Sequence, residues 1–164
     1  MGTTKSGRVL NTVGARGSVS QYAVVHSNEG TYTKPLPGQK IRLKSGGHGQ
    51  AGMNELDRYG IEYHIVKTYP NGVRVGYIPT HKDKNKQSGT NQAWFPKDWK
   101  SKDIKRAGEH VSKLPGNRKK HLDDGTPVFG MWKGVRVGVI RRKDSPNTIF
   151  PDSIQPNLKK GKRK

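Results

Sequence analysis

Six histidines are the groups in this chain that can move a proton near neutral pH without help. One of them stands apart. His48 lies in Ser45-Gly46-Gly47-His48-Gly49-Gln50, where three glycines surround a single imidazole just ahead of a predicted helix. Glycines let a backbone approach a ligand closely and take positive φ. A helix N-terminus offers free N–H groups and positive potential to a phosphate. That potential also lowers an imidazole pKa and leaves a neutral ring able to accept a proton. His81 opens a basic loop, His81-Lys82-Asp83-Lys84-Asn85-Lys86, after a predicted hairpin; the loop reads equally as a solvated charged turn. His64 alternates within a strand. For His110, mid-helix, and His121, in a charged loop, solvent and packing are sufficient reasons.

Other chemistries find little to work with. The glycine loop lacks the Lys-Ser/Thr pair of a P-loop, and neither an HExxH nor a GxSxG motif occurs. The carboxylates are scattered, and Asp123-Asp124 falls in a predicted turn, so no acidic cluster suggests a two-metal nuclease. With no cysteine, disulfides and thiolate metal sites are excluded. No stretch approaches the ~18 apolar residues of a membrane span, and no signal-peptide pattern opens the chain. The 32 Lys and Arg against 12 Asp and Glu give a formal charge of +20 over 164 residues, the footprint of a polyanionic partner. Nucleic acid comes first, then an anionic membrane surface, then an acidic protein. RNA carries its own nucleophile, the 2′-OH. Its cleavage needs only a base, an acid and cations to steady the phosphorane, with no metal or other cofactor.

The elements that must position these groups read as α+β. Only 29% of the residues are hydrophobic, which allows one modest core. Residues 1–18 read as a linker or entry strap, 19–156 as one domain, and 157–164, with five positive charges, as a disordered basic tail. Ser20–Val25 and Lys40–Lys44 are candidate strands. Gln50–Tyr59 places Ala51, Met53, Leu56 and Tyr59 near one helical face, with Gly60 as its stop. Ile61–Thr68 and Val73–Ile78 form a hairpin through Pro70-Asn71-Gly72. Ser101–Leu114 is a second helix, capped by Ser101 and ended by Pro115-Gly116. Val128–Trp132, a Lys133-Gly134 turn, Val135–Arg141 and Thr148–Phe150 return the chain to strand. Helices early and a meander late predict an antiparallel sheet with helices packed on one side. Trp94-Phe95-Pro96 and Trp99, amid lysines, either stack an unpaired base or pack the second helix.

Several segments then occur in a familiar order. They are the glycine-flanked His48, the Asn71-Gly72-Val73 hairpin, Trp94-Phe95-Pro96-Lys97-Asp98-Trp99 before a helix, and Gly134-Val135-Arg136-Val137-Gly138 leading to Thr148-Ile149-Phe150-Pro151. Together, over roughly residues 40–152, they resemble the bacterial EndoU-type ribonuclease domains at the C-termini of contact-dependent inhibition and other polymorphic toxins. The resemblance implies a barnase/EndoU/colicin/RelE-like fold and metal-independent cleavage of RNA, often tRNA, to a 2′,3′-cyclic phosphate. It also implies delivery by a larger exported protein, action in the target-cell cytoplasm, and an acidic cognate immunity protein. No stable membrane association is expected, and the strap-like start suits an excised toxin module.

The family's glycine-flanked histidine matches His48, and its Thr-x-Tyr-Pro segment matches Thr148-Ile149-Phe150-Pro151, with Phe150 lacking the phenol. The second histidine of viral and animal relatives would fall near Thr31–Lys34, where there is none; His26 is the nearest. The family lysine would fall near Asn91-Gln92. The resulting expectation has His48 as general base or acid, His81 as its complement, and Thr148 on the scissile phosphate or neighbouring base. Lys82, Lys86 and Arg136 are expected on backbone phosphates, with Trp94 and Phe150 on substrate. Two alternatives stay open: a non-catalytic RNA-binding module, and a DNase toxin that would need a divalent metal.

Overall fold

The computed structural model describes residues 19–120, 125–141 and 147–156. The strap, the basic tail, His121 and Asp123-Asp124 lie outside the described residues. The fold is α+β. It opens with α1 (Gln21–Glu29), where a strand was expected. The reason is local and tertiary together. Ser20 caps the helix by accepting the Ala23 N–H at 3.1 Å, and Ala23, Val24, His26 and Ser27 form its buried side.

Next come β1 (Thr31–Tyr32) and β2 (Leu43–Ser45), an antiparallel pair; the strand expected over Lys40–Lys44 is shorter and begins later. Helix α2 (Gln50–Tyr59) has the expected bounds and stops on Gly60, whose φ of +68° is left-handed. Strands β3 (His64–Thr68) and β4 (Arg74–Tyr77) make the expected hairpin, and β5 (Gln92–Trp94), absent from the sequence reading, adds to β4. Helix α3 (Ser101–Lys113) starts from Lys100, not from a Ser101 cap: the Asp103 carboxylate accepts the Lys100 N–H at 2.8 Å. Pro115 opens a short α4 (Pro115–Lys120) directly after α3. Strands β6 (Val128–Trp132), β7 (Val135–Ile140) and β8 (Thr148–Pro151) form the C-terminal meander.

The strands therefore fall, among the described residues, into three antiparallel sheets ordered β1-β2, β3-β4-β5 and β6-β7-β8, not one. Two apolar clusters hold them. Ile104, Ala107 and Val111 of α3 pack on Val135, Val137 and Val139 of β7 and on Ile149, with α1 contributing Ala23 and Val24. The approach is close at Gly108, where a side chain would collide with Ile149. Leu43, Met53, Leu56, Ile78 and Trp94 make the second cluster between α2 and the middle sheet. Short sheets on separate cores leave a seam where β2, β5, β8 and α1 meet. The site lies there.

Candidate active site

The seam is a cleft of about 320 Å³ lined by His26, His48, His81, Lys86, Thr148 and Phe150, among others. His48 arrives there through its glycine loop, but the loop does something other than expected. The N–H groups of Gly47, His48 and Gly49 donate to the carbonyls of His26, Ser27 and Asn28 at 3.1, 2.5 and 3.1 Å. They satisfy the C-terminal carbonyls of α1 and are not offered to a phosphate. Strand β5 clamps the residue from the other side. The Phe95 N–H donates to the His48 carbonyl at 2.7 Å, and Nδ1 of the ring donates to the Ala93 carbonyl at 2.8 Å. A carbonyl can only accept, so Nδ1 carries the proton and Nε2 keeps its lone pair. His48 is 4% exposed. Burial first, then the charge of Lys86, hold its pKa well below the ordinary 6.5. The direction is the one expected; the cause is desolvation, not a helix terminus.

His81 carries the opposite tautomer. The Asp83 N–H donates to its Nδ1 at 2.8 Å, so the neutral ring bears its hydrogen on Nε2. That nitrogen is buried and has no hydrogen-bond partner among the described residues, which leaves one imidazole N–H donor unspent in a residue that lines the cleft. Burial, then Lys86, lower the His81 pKa to about 4. Its carbonyl is held by Gln87 Nε2 at 2.8 Å and Arg42 Nη2 at 3.4 Å, and this fixes the loop's position. Lys86 ends a 3₁₀ turn over Lys84–Lys86, with its carbonyl accepting the Ile78 N–H at 2.9 Å. Desolvation pushes its ammonium pKa below 10.5, partly opposed by Asp83.

His26, which the sequence offers only as the histidine nearest to Thr31–Lys34, is the third imidazole of the cleft. Its Nε2 meets Thr148 Oγ1 at 3.0 Å and its Nδ1 meets Thr31 Oγ1 at 2.7 Å. It is 4% exposed, and burial, with Lys86, takes its pKa to about 4. The signal that could have found it is the helix cap at Ser20: on a helix, His26 and Ser27 share the buried side. The Ser27 hydroxyl accepts the Ile149 N–H at 2.8 Å and so brings Thr148 beside His26. Gly46 makes room. At φ +72° its added Cβ would collide with the His26 carbonyl and lie 3.0 Å from the imidazole. Gly46→Ala should therefore cost about 2 kcal/mol or more, read as a lowered urea midpoint with unchanged m.

Three expected contacts fall elsewhere. Trp94 is fully buried in the second core, so its ring presents no face to a base. Arg136 does not line the cleft. It pairs with Asp152 at 2.8 Å and lies 4.6 Å from the Phe129 ring. Lys82, next to His81, points away from the cleft and lines a groove behind it. Phe150 does line the cleft, half-buried, with its ring 6.0 Å from that of His48. Among the described residues, no three His, Asp or Glu side chains gather as metal ligands do.

Neutral imidazoles of both tautomers beside a desolvated ammonium are suited to moving protons around an anionic centre. No curated protein and no solved structure gives a significant match to the chain. The model of the family described as "Bacterial EndoU nuclease" matches residues 20–153, a span that contains every group of the cleft named above. The chain belongs to the bacterial EndoU nuclease family.

Proposed function

We propose that this nuclease is a metal-independent endoribonuclease toxin that cleaves RNA, tRNA foremost, by attack of the 2′-OH on the adjacent phosphate. The observation that carries the reading is the pair of opposite imidazole tautomers, His48 and His81, lining one cleft with Lys86. His48 Nε2 takes the 2′-OH proton as the 2′ oxygen bonds to phosphorus. The His81 Nε2–H donates a hydrogen bond to a non-bridging oxygen, where charge gathers. His81 cannot hold a second proton while Nδ1 accepts the Asp83 N–H, so the acid's part passes to Lys86. Its lowered pKa eases transfer of an ammonium proton to the departing 5′ oxygen. The products are a 2′,3′-cyclic phosphate and a 5′-OH. The Thr148 hydroxyl, seated on His26 Nε2, completes the phosphate's hydrogen bonds.

The charge of +20 supports a polyanionic substrate. Family membership supports delivery as part of a larger exported toxin in interbacterial competition, action in the target cytoplasm, and neutralisation by an acidic immunity protein. The test is incubation with total tRNA in EDTA, followed by analysis of the product ends. Discrete fragments ending in 2′,3′-cyclic phosphate are expected. Intact but bound RNA would replace this reading with a binding module. Cleavage of DNA that appears only with Mg²⁺ would replace it with a DNase.

A further inference from the structure

The cleft's outer wall has a second face. Segments 42–45 and 80–83 lie side by side, joined by the Lys82 N–H on the Leu43 carbonyl at 2.9 Å and by Arg42 Nε on the Thr80 carbonyl at 2.8 Å. Residues of this wall divide between two cavities. Lys44, Ser45, His81 and Asp83 line the cleft, whereas Arg42, Thr80 and Lys82 line a groove of about 820 Å³, more than twice the cleft's volume of about 320 Å³. The groove's far side adds Lys34 and Lys40.

Lys34, Lys40 and Lys82 are exposed, and none of their ammonium groups has an ion-pair or hydrogen-bond partner among the described residues. Among the described residues, the one acid lining the groove is Glu62, whose carboxylate is held by His64. Arg42 is occupied by the Thr80 and His81 carbonyls and so ties the groove to the loop that carries His81. The one aromatic ring there among the described residues, Tyr59, is packed against Tyr32 with Arg58 over it. Three unspent ammonium groups without an open stacking ring suit phosphates and not bases.

We propose that this groove is a second RNA-binding site, which holds backbone phosphates of the strand after it leaves the cleft over Lys44. It reads charge and spacing and not sequence, and it would let a long, structured RNA bind more tightly than the nucleotides at the scissile bond alone. The proposal rests on the reading of the cleft as an RNA-cleaving site.

The test compares the wild-type chain with a Lys34→Gln/Lys40→Gln/Lys82→Gln variant on two substrates, a dinucleoside monophosphate and an intact tRNA. On the short substrate kcat/KM should be unchanged within about twofold. On tRNA, KM should rise about tenfold or more with kcat retained. The slope of log kcat/KM against log salt should become shallower by about 2, at about 0.7 per single-strand phosphate for three contacts. Unchanged tRNA kinetics and salt slope would overturn the proposal, and so would an equal loss on both substrates, which would place the effect in the cleft. Unchanged tRNA kinetics with weakened binding of an acidic protein would give the groove to a protein partner instead. If the wild-type chain cut neither substrate, the cleavage reading would fail. Filter binding of tRNA to the same two proteins, at two salt concentrations, would then decide the groove by itself.

Discussion

Replacing His48 with alanine should lower kcat/KM for RNA cleavage by about 10³-fold while leaving RNA affinity within a few-fold of wild type. The magnitude is that of losing a positioned general base. Affinity survives because it rests on lysines spread over the surface, and no phosphate contact is removed. His48 also has a structural task, since its Nδ1–H satisfies the Ala93 carbonyl. His48→Asn separates the two: its amide can still donate, yet it cannot accept a proton. Both variants should be equally inactive, and His48→Asn should be the more stable. The wild-type pH profile gives a second reading. A base must be deprotonated to act, and the His48 pKa lies below 6.5, so the acid limb of kcat/KM should fall below pH 6.5. An acid must be protonated, and the Lys86 pKa lies below 10.5, so the alkaline limb should fall below pH 10.5. In kcat the acid limb should move to higher pH, because a bound phosphate favours the imidazolium. Full activity in His48→Asn would refute the mechanism.

The protein should also lose most of its stability between pH 6.5 and pH 4. His26 and His81 titrate near pH 4 when folded, against 6.5 for an ordinary imidazole. As pH falls through 6.5 the unfolded chain takes up protons that the folded chain refuses, so acid favours unfolding. The stability is fully present above pH 6.5 and drains as the pH falls towards 4, and His48, whose pKa is also held below 6.5, adds to the loss in the same direction. A gap of this size corresponds to roughly 3 kcal/mol for each histidine. Two such groups rival the roughly 5–15 kcal/mol that holds an ordinary domain together. Urea midpoints at pH 7.5, 5.5 and 4.5 should fall steeply, and His81→Gln, which removes one of the three lowered imidazoles, should make the fall shallower by roughly 3 kcal/mol. A midpoint independent of pH would show that these imidazoles are not held neutral. The acid sensitivity and the proposed catalysis share one cause: the neutral rings that could accept or direct protons are neutral because folding strips their water beside a lysine.

Much of the machinery was legible in the residues because its determinants are local. Gln50–Tyr59 carries its periodicity and its glycine stop within one helix, and the Asn71-Gly72 turn specifies its hairpin. His48 stood out for its three flanking glycines, of which Gly46 threads the backbone beside His26 and Gly49 passes against Asn28. Where a pattern was short, burial decided. Ser20–Val25 alternates enough to read as a strand, but a serine cap and the packing of Ala23 and Val24 make it helical. Gln92–Trp94 is three residues long, too short to carry a period, and becomes a strand only because β4 offers an edge.

Composition alone pointed to a polyanionic partner and to chemistry run on histidine, lysine and hydroxyl groups; local pattern determined the principal helices and the hairpin. Only the tertiary structure decided which of those groups meet. It joined His26 to Thr148 across 122 residues, and it buried Trp94 where a stacking ring was expected. It also sent His81 and Lys82, neighbours in the chain, to opposite faces of one wall. Protonation state was likewise a tertiary decision. An imidazole's pKa depends on the water it loses and the charge it faces, and both are set by segments far away in the chain.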